Sequence, residues 1–541
     1  MTFIYKIAET PSEFEQIHQL NYETFVEEIP QHERNESHIL MDKFHEDNTY
    51  IICLKNERVI GMIAVRSMRP FSLDGKIGRV EKHLPFTIEN PVEIRLLAIE
   101  KTYRNGRPFL GLAQALVRFC MKAGYDIAFI SGTVRERKLY GQLGFIPFAH
   151  LTGAEEAAFQ PMYLTRETFD VGIAGRLSKP QINFLPGPAT ISDEVRNAMT
   201  ADPYSHRTIE FEKLLLRVKQ RLTALTGAKH VQLLQGTGTL ANDVVAAQLS
   251  VRGGKGLILV NGEFGERLTT HASRFGMKFD TLEVEWGSGF DKDVIIEAVA
   301  TGTYSWLWTV HCETSTGVLN EFDMLPEICA QYRVTLAVDS VSAIGSMPVD
   351  LRGVDYASGV SGKGLLSYTG LSFVFHNKDV QSNPNLPSYL DLGIYADAAG
   401  GIPYSQSSNL LAALDAALRR YAEPTKILAQ VSERSAKVRT AVEESELTIL
   451  SPENIAASAI TTLVLPAGMS AAQLGDNLYL NGFTVHYESS YLRDRNWLQI
   501  SCMNNVPNRE LDSMLKVLYI LVTSNNNLPK GSDCFERVII N

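Results

Sequence analysis

An aspartate and a lysine near the middle of the chain have types and spacing that suit electron-sink chemistry. Residues 336–339 (LAVD) form an apolar run that ends at Asp339, and Lys363 lies between two glycines on the next apolar segment. Apolar runs bounded by turn residues predict buried parallel strands, whose carboxyl ends carry functional side chains. A lysine there can form a Schiff base with an aldehyde, and a carboxylate can keep a pyridine nitrogen protonated. The pair therefore predicts pyridoxal phosphate chemistry, provided that the flanking motifs exclude an ordinary turn aspartate and surface lysine.

Composition narrows the class of protein. The chain has 541 residues, which favours two or three domains, with 45% hydrophobic and 21% charged residues, as in soluble globular proteins. The net charge of -10 argues against a nucleic-acid or anionic-membrane partner. No run is as long as a membrane span, and the first residues lack a secretory signal pattern. Six cysteines without metal-ligand spacing predict reduced thiols, no metal site and a cytoplasmic protein.

The first part of the chain reads as an α/β domain with an anion-binding turn. Apolar runs at 50–54, 59–65, 92–99 and 127–130 predict strands, and an amphipathic helix follows the turn at 103–107 (YRNGR). Free backbone N–H groups and the helix dipole at such a turn favour a pyrophosphate. Most turns of this kind are only turns, so the motif needs support from its neighbours.

Residues 139–145 (LYGQLGF) supply that support, because together with the turn they resemble the GNAT acyltransferase family over about the first 165 residues. The resemblance implies that acyl-CoA lies on the turn and that Tyr140 faces the departing thiol. The implied acyl-CoA residues are Arg104, Gly106, Arg107 and Gly111. The run Glu93–Leu96 is also similar to the branch with N-acyl amino acid and acyl-homoserine lactone synthases, so the donor is acyl-CoA or acyl-carrier protein. A non-catalytic domain is the alternative.

Segment composition predicts the domain boundaries. Tyr163 to Lys179 mixes small and charged residues without strand or helix periodicity, which is typical of a linker. We therefore expect an acyltransferase-like domain at 1–168, a linker at 169–180 and a second domain at 181–541. Within the second domain we expect a large part at about 181–415, a small α/β part at about 416–525 and a tail at 526–541.

In the second domain, small hydroxylated residues follow a short strand and begin a helix. Residues 231–234 lead into Thr237, Gly238 and Thr239 (GTGT), which suit one phosphate at a helix N-terminus. Further strands at 257–260, 306–310 and 336–339 alternate with helices, which predicts a mainly parallel, doubly wound α/β sheet. All of these motifs fall at the carboxyl ends of strands, where ligands bind.

The ordered set GPGP, GTGT, NGEFGER, HCETSTG, VDSVSA and SGK resembles the class V, fold-type I aminotransferases over about residues 181–525. Among these, the alanine–glyoxylate and 2-aminoethylphosphonate–pyruvate transaminases are most similar. The resemblance implies Lys363 as the Schiff-base lysine and Asp339 as the partner of the pyridine nitrogen. It also implies a homodimer and the following further cofactor residues: Thr237, Gly238, Thr239, Phe264, Ser315 or Thr316, Ser361, Tyr404 and Ser405, the last two reaching the partner subunit's phosphate site.

One departure bears on the substrate. Gln499 stands where the family has an arginine that binds the substrate carboxylate, and a glutamine cannot form a bidentate cationic clamp. We expect Arg493 or Arg495 to compensate; otherwise the substrate is not a simple α-amino acid. Gly362 also replaces the usual glutamine before the lysine.

The sequence thus predicts a bifunctional enzyme. The second domain would transaminate a small amine or amino acid with a keto acid or aldehyde, and the first would acylate an amine. One alternative is a pyridoxal-phosphate lyase or desulfurase, for which Cys502 and Cys534 are the late candidate nucleophiles. The other is a non-enzymatic scaffold or sensor with the pyridoxal-phosphate fold and a non-catalytic first domain.

Overall fold

The computed structural model describes residues 2–29, 32–104, 106–153, 158–172, 175, 179–398 and 402–526. These residues divide into two compact units. The first unit runs to Ile182 and includes the segment Asp476–Phe483, and the second unit begins at Asn183. Among the helices of these ranges, none is long and apolar enough to cross a bilayer.

The first unit is built on a seven-stranded sheet with the order β1-β2-β3-β4-β5-β7-β6. Strands β4 and β5 are parallel, and the other neighbouring strands are antiparallel. The strands are β1 Ile4–Ile7, β2 Thr49–Lys55, β3 Arg58–Arg66, β4 Pro91–Ile99, β5 Ile127–Thr133, β6 Ile146–Pro147 and β7 Phe159–Thr165. The α-helices are Pro11–Tyr22, Asp74–Ile77, Arg107–Lys122, Arg137–Leu143 and Arg166–Val171. The predicted strands and the amphipathic helix are confirmed.

Strand β4 carries a backbone irregularity. Met62 of β3 pairs with Ala98 and Ala64 pairs with Arg95, so two residues of β4, Leu96 and Leu97, stand opposite one residue of β3. This is a β-bulge, and Leu96 has a φ of 50°, which is an outlier for a bulky residue. Parallel pairing of β4 with β5 covers only residues 91–93 and 127–129. Strand β4 thus has unpaired backbone groups beside the bulge.

The segment predicted to be irregular, Tyr163 to Lys179, begins with regular structure. Strand β7 pairs with β5 along its whole length, from Thr133 opposite Phe159 to Ile127 opposite Thr165. A capping box then starts the helix Arg166–Val171, in which Thr165 and Thr168 satisfy each other's backbone N–H groups. The absence of periodicity was misleading, since pairing to a distant strand decides this conformation. Of the predicted linker, residues 173, 174 and 176–178 lie outside the described ranges.

The second unit contains the predicted mainly parallel sheet. Its order is β11-β10-β12-β15-β16-β17-β9, and β17 alone in this sheet runs opposite to its neighbours. The strands are β8 Ile182–Asn183, β9 His230–Gly236, β10 Lys255–Val260, β11 Lys278–Glu283, β12 Tyr304–Val310, β13 Cys312–Glu313, β14 Val318–Leu319, β15 Thr335–Asp339, β16 Tyr356–Val360 and β17 Gly370–His376. The α-helices are Asp193–Met199, Ile209–Thr226, Gly238–Arg252, Glu263–Arg274, Lys292–Ala300, Leu325–Tyr332, Leu392–Asp397 and Ser408–Leu418.

The last part of the chain forms a small antiparallel sheet with the order β18-β19-β21. Its strands are β18 Thr448–Ile449, β19 Ile460–Val464 and β21 Trp497–Ser501, and the short strand β20 Phe483–Thr484 lies between the last two in sequence. The helices are Pro424–Glu444, Ala471–Leu480, Ser490–Arg493 and Asn508–Asn526. Of the predicted tail at 526–541, residues 527–541 lie outside the described ranges.

Candidate active site

Asp339 and Lys363 meet at one edge of the large sheet. Asp339 is the last residue of β15 and pairs in parallel with Ser358 of β16. Strand β16 ends at Val360, so Lys363 follows three residues later on the same edge. The ammonium of Lys363 donates a 2.9 Å hydrogen bond to the hydroxyl of Ser342, in the turn after Asp339. The fold therefore brings the two predicted residues into one pocket.

Two donors fix the carboxylate of Asp339, which is buried. Nδ2 of Asn242 donates to Oδ2 at 2.7 Å, and the backbone N–H of Val341 donates to Oδ1 at 2.9 Å. Asn242 lies on the helix Gly238–Arg252, one turn after Gly238. Donors of this kind hold an ionised carboxylate in one orientation. Asn242 is a site residue that the sequence interpretation missed, although its i+4 spacing from Gly238 was a readable signal.

A chain of hydroxyl groups continues from the lysine into the interior. Ser342 Oγ lies 2.5 Å from Thr314 Oγ1, and Thr314 in turn donates to the carbonyl of Cys312 at 3.5 Å. Burial lowers the pKa of Lys363, while the charge of Asp339 opposes that shift. A lysine with a lowered pKa is present more often as the neutral amine, which is the form that acts as a general base.

The GTGT loop lies against the turn that follows Asp339. Gly238 begins a fifteen-residue helix, and the hydroxyl of Thr237 makes no capping hydrogen bond. A Cβ at Gly238 would stand 3.0 Å from Cγ1 of Val341, so a larger residue here would require Val341 to shift by a few tenths of an ångström. The first backbone N–H groups of the helix, including that of Thr239, lack intrahelical acceptors and favour an anion.

Phe264 lies beside Lys363 in the first turn of the helix Glu263–Arg274. The lysine Nζ is 5.2 Å from the centroid of the Phe264 ring, and Cζ of Arg267 is 4.8 Å from the same centroid. The aromatic ring is thus available to pack against a planar group bound next to Lys363.

Glu313 organises this wall of the pocket, and the sequence interpretation gave it no role. Its buried carboxylate accepts hydrogen bonds from the backbone N–H groups of Phe264 at 3.3 Å and Gly265 at 3.0 Å. It also accepts from Ser315, through the N–H at 3.1 Å and the hydroxyl at 2.5 Å. Burial raises the pKa of Glu313 to about 7. The carboxylate therefore joins the start of the Phe264 helix to the 313–316 turn.

Three predicted hydroxyl ligands are engaged within the protein. Ser315 donates to Glu313, Thr316 donates to the Glu313 carbonyl at 3.4 Å, and Ser361 donates to the carbonyl of Tyr368 at 2.6 Å. All three hydroxyl-bearing side chains are buried. Their predicted contacts with a cofactor would require these hydroxyls to be shared with, or released from, their present acceptors, so those contacts stay predictions.

Gln499 is fully occupied by internal hydrogen bonds. Its Nε2 donates to the carbonyls of Thr314 at 2.7 Å and Ser315 at 3.0 Å and to Oγ1 of Thr462 at 2.9 Å, while its Oε1 faces Nδ1 of His486 at 2.9 Å. The side chain is wholly buried. Gln499 thus supports the turn that carries Thr314 instead of presenting free donors to a ligand.

The two arginines predicted to replace the missing clamp differ in their contacts, and their predicted role in substrate binding stays a prediction. The guanidinium of Arg495 packs 3.9 Å from the ring of Trp286 and 5.6 Å from that of Trp497. Arg493 is exposed at the end of the short helix Ser490–Arg493. No contact within the described ranges brings either guanidinium to Lys363.

Tyr404 and Ser405 lie beside the end of β9, just before the GTGT loop. Tyr404 stacks on Tyr389 with the ring centroids 5.7 Å apart, and the hydroxyl of Tyr389 donates to the carbonyl of Gln235 at 3.1 Å. Ser405 is exposed. Their predicted contact with a partner subunit stays a prediction.

Of the residues predicted to bind acyl-CoA, Arg104 and Gly111 are engaged in contacts within the first unit, whereas Gly106 and Arg107 lie at an exposed helix start. Arg104 binds Glu28 through both terminal nitrogens, at 2.7 and 3.0 Å, and donates to the carbonyl of Ile99. A Cβ at Gly111 would overlap the ring of Tyr5, so this glycine serves helix packing. By contrast, Gly106, with a φ of 96°, precedes the helix that starts at the exposed Arg107.

Tyr140 lies on the helix Arg137–Leu143 and packs against β5. A Cβ at Gly132 would stand 2.8 Å from Cδ2 of Tyr140, which shows how closely the ring approaches the strand. Burial raises the pKa of the Tyr140 phenol, so this group stays protonated at neutral pH. A protonated phenol is able to donate a proton to a leaving group.

Comparison with known proteins shows which family the second unit resembles. The family model described as Aminotransferase class-V matches residues 192–389. The 2-aminoethylphosphonate–pyruvate transaminase of Pseudomonas putida (strain W619) is 31% identical over 261 residues, which cover 46% of this chain and 70% of the relative. The chain belongs to the class-V aminotransferases. The same-named protein of Pseudomonas fluorescens (strain Pf-5) is 30% identical over 302 residues, covering 53% of this chain and 81% of the relative.

Two further matches support the fold of this aminotransferase and of its first unit. A crystal structure of alanine–glyoxylate aminotransferase from Nostoc sp. has a TM-score of 0.58 and 25% identity, covering 64% of this chain and 96% of that one. The family model described as Acetyltransferase (GNAT) domain matches residues 20–114. An aminotransferase unit therefore follows a GNAT-like unit in one chain.

Pyridoxal phosphate is the cofactor that this family implies, and the residues present fit it. The pocket holds one amine, Lys363, for the aldehyde and one fixed carboxylate, Asp339, for the ring nitrogen. The helix start at Gly238 suits the phosphate, and the ring of Phe264 suits the pyridine face.

Proposed function

We propose that the aminotransferase unit transfers the amino group of a small amine or amino acid to a keto acid or an aldehyde. The observation that carries this proposal is the placement of Lys363 on Ser342 next to the fixed Asp339 carboxylate, at the edge where the Gly238 helix begins. Bound pyridoxal phosphate supplies an electron sink for the carbon that bears the amine.

The residues of the chain divide the remaining tasks. Lys363 would accept and return a proton at its Nζ, because its lowered pKa favours the free amine. Asp339 would accept a hydrogen bond from the protonated ring nitrogen, and Asn242 keeps the carboxylate in place. Thr237, Gly238 and Thr239 would receive the phosphate.

A homodimer is part of this proposal. Tyr404 and Ser405 lie beside the end of β9, just before the GTGT loop, and would complete the phosphate site of a second copy. Sedimentation of the purified protein tests this assembly, since a monomer that binds the cofactor at full strength would contradict it.

The half-reaction with amines tests the proposed transfer. Purified protein supplied with pyridoxal phosphate should show a visible absorbance band that bleaches when a donor amine is added, with release of the matching carbonyl compound. Lys363→Ala should abolish the bleaching, whereas Lys292→Ala, an exposed lysine that pairs with Glu321, should leave it unchanged. If no amine or amino acid in a broad panel bleaches the band, the proposal is wrong.

For the first unit we propose N-acyl transfer from acyl-CoA or acyl-carrier protein. The bulge at Leu96 supports it, because unpaired N–H groups of β4 are able to bind the carbonyl of an acyl group, with Tyr140 as the proton donor to the thiol. The two activities in one chain would act on one nitrogen: the second unit makes or consumes the amine, and the first acylates it.

Amide formation tests the acyl transfer. The protein is incubated with an acyl donor and an amine, and the amide is detected by mass. Tyr140→Phe should slow the reaction by roughly a hundred- to ten-thousandfold, the range typically lost with a general acid. If wild-type protein forms no amide from either class of donor, the coupling of the two activities is wrong.

The lyase alternative receives no support from Cys502, the one of its two candidate nucleophiles that lies in the described residues. Cys502 is buried, and burial raises the pKa of its thiol to about 12, so almost none of it is thiolate at neutral pH. Cys534 lies outside the described residues. Sulfide release from cysteine by the purified protein would favour a desulfurase over the proposed transfer.

A further inference from the structure

Arg267 lies one turn after Phe264 on the same helix. Its Cζ is 4.8 Å from the centroid of the Phe264 ring, and Nζ of Lys363 is 5.2 Å from that centroid. Two cations of different depth therefore border one aromatic ring. Lys363 is the inner one, and the half-exposed Arg267 is the outer one.

Most of the hydrogen-bonding capacity of Arg267 is free. Its Nε donates to Oε1 of Glu263 at 2.9 Å. Within the part of the chain that the structure describes, its two terminal nitrogens have no hydrogen-bond partner. A guanidinium in this state presents a planar fork of N–H donors, which matches the two oxygens of a carboxylate or phosphonate.

The other groups around the pocket do not offer a cation. Arg267 is a cation whose charge lowers the pKa of Lys363, whereas burial lowers the pKa of the nearby His486, so this imidazole is neutral at neutral pH. Gln499 is neutral and has all of its donors engaged. An anionic substrate group that enters this pocket thus meets a single guanidinium.

We propose that Arg267 binds the acid group of the substrate, a carboxylate or a phosphonate, and so selects anionic amines and keto acids over neutral ones. This inference rests on the proposed amino transfer, because it names the substrate class for the same pocket. Arg267 acts by forming charge-assisted hydrogen bonds to a group remote from the reacting carbon. Its contribution lies in binding, while proton transfer remains with Lys363.

Two pairs of amines test the selection in the cofactor-loaded protein. In each pair one amine carries an anionic acid group, namely 2-aminoethylphosphonate or L-alanine, and its counterpart, 2-aminoethanol or L-alaninamide, has an uncharged group in its place; these are called the anionic and the neutral amines. Arg267→Gln should raise KM for the anionic amines roughly ten- to hundredfold, with a smaller change in the maximal rate of bleaching, and should leave the neutral amines unchanged. Arg267→Lys, which keeps the charge without the fork, should lie between wild type and Arg267→Gln.

Arg274→Gln is the matched control, because Arg274 is an exposed arginine two turns later on the same helix. It should behave as wild type with all four amines. Equal losses for anionic and neutral amines in Arg267→Gln, or no loss for either, would overturn the proposal.

A binding measurement separates this inference from the proposed amino transfer. Methylphosphonate and acetate cannot react, and their Kd for the cofactor-loaded protein is measured by calorimetry. Weaker binding in Arg267→Gln, with unchanged binding in Arg274→Gln, supports the role of Arg267 even if no amine is converted. If wild type binds neither anion, or if Arg267→Gln binds both as tightly as wild type, Arg267 is not the acid-binding group.

Discussion

The ammonium of Lys363 donates a 2.9 Å hydrogen bond to the hydroxyl of Ser342, three residues after Asp339. The turn after Asp339 thus holds both Val341, whose backbone N–H donates to the Asp339 carboxylate, and Ser342, whose hydroxyl accepts from the lysine. Ser342 also lies 2.5 Å from Thr314, which Gln499 supports through the backbone. The orientation of the lysine therefore depends on a network that reaches β21.

Removal of the Ser342 hydroxyl should shift the pH dependence of amino transfer. The hydroxyl accepts a hydrogen bond from the charged form of Lys363, so its loss in Ser342→Ala lowers the lysine pKa further. We expect the acid limb of the pH–rate profile to move down by roughly half to one pH unit. Ser340→Ala is the control, since the Ser340 hydroxyl has no partner in the described structure. Identical profiles for wild type and Ser342→Ala would contradict the assignment.

Asn242 should matter for cofactor binding more than for folding. Asn242→Ala removes a hydrogen bond to the ionised Asp339, and bonds to charged groups contribute about 1.5–3 kcal/mol. We therefore expect the Kd for pyridoxal phosphate, measured by fluorescence titration, to rise by roughly tenfold or more. Gln248→Ala, on the same helix, removes a 2.9 Å hydrogen bond to the Leu390 carbonyl. That control should lose stability and keep its cofactor affinity; the reverse pattern would refute the role of Asn242.

Glu313 should make the free energy of unfolding depend on pH. Burial raises its folded-state pKa to about 7 from the usual 4.5, so its contribution is complete below pH 4.5 and is lost as the pH rises through 7. The loss amounts to about 3 kcal/mol, because each pH unit of difference is about 1.4 kcal/mol. Urea unfolding of wild type between pH 5 and 8 measures this slope, which Glu313→Gln should lack.

Glu313→Gln is expected to be less stable than wild type at low pH, since the amide cannot accept from every donor around it. The informative quantity is the difference between the slopes of wild type and Glu313→Gln, because the other titrating groups contribute equally to both slopes. Glu283→Gln, at an exposed position, should keep the wild-type slope. If the slopes of wild type and Glu313→Gln coincide, Glu313 does not titrate as described.

Two neighbouring arginines of the first unit should respond differently to substitution. Arg104→Gln breaks a bidentate pair with Glu28 and should cost up to about 1 kcal/mol of stability, with little change in the affinity for acyl-CoA. Arg107→Gln removes an exposed cation at the helix start and should weaken acyl-CoA binding severalfold without loss of stability. Calorimetric titration with acyl-CoA measures the affinity of each variant, and urea unfolding measures its stability. The assignment is wrong if Arg104→Gln weakens acyl-CoA binding and Arg107→Gln lowers the stability.

Much of the pocket was predictable because parallel strands bring the residues after their carboxyl ends to one edge. Asp339, Lys363 and the GTGT loop each follow a strand of the large sheet, so sequence motifs alone placed them together. The mainly parallel sheet followed from the alternation of strands and helices. Asn242 was readable from its helical spacing to Gly238, but only once Asp339 was known to face that helix.

The remaining contacts depend on geometry that no local pattern contains. Gln499 reaches Thr314 from another sheet, and Glu313 caps a helix that begins fifty residues earlier in the chain. Arg495 packs on Trp286, although the two residues are distant in sequence. The end of β7, from Tyr163 to Thr165, falls in the segment predicted to be irregular, because its pairing partner, β5, decides its conformation.

Lys363 is the residue expected to bind the cofactor covalently. The protein is loaded with pyridoxal phosphate, reduced with borohydride and digested, and the modified peptide is identified by mass spectrometry. One modified lysine, Lys363, is expected, with loss of both the visible band and the adduct in Lys363→Ala. A colourless protein in excess cofactor, or an adduct that maps to another lysine, would contradict it.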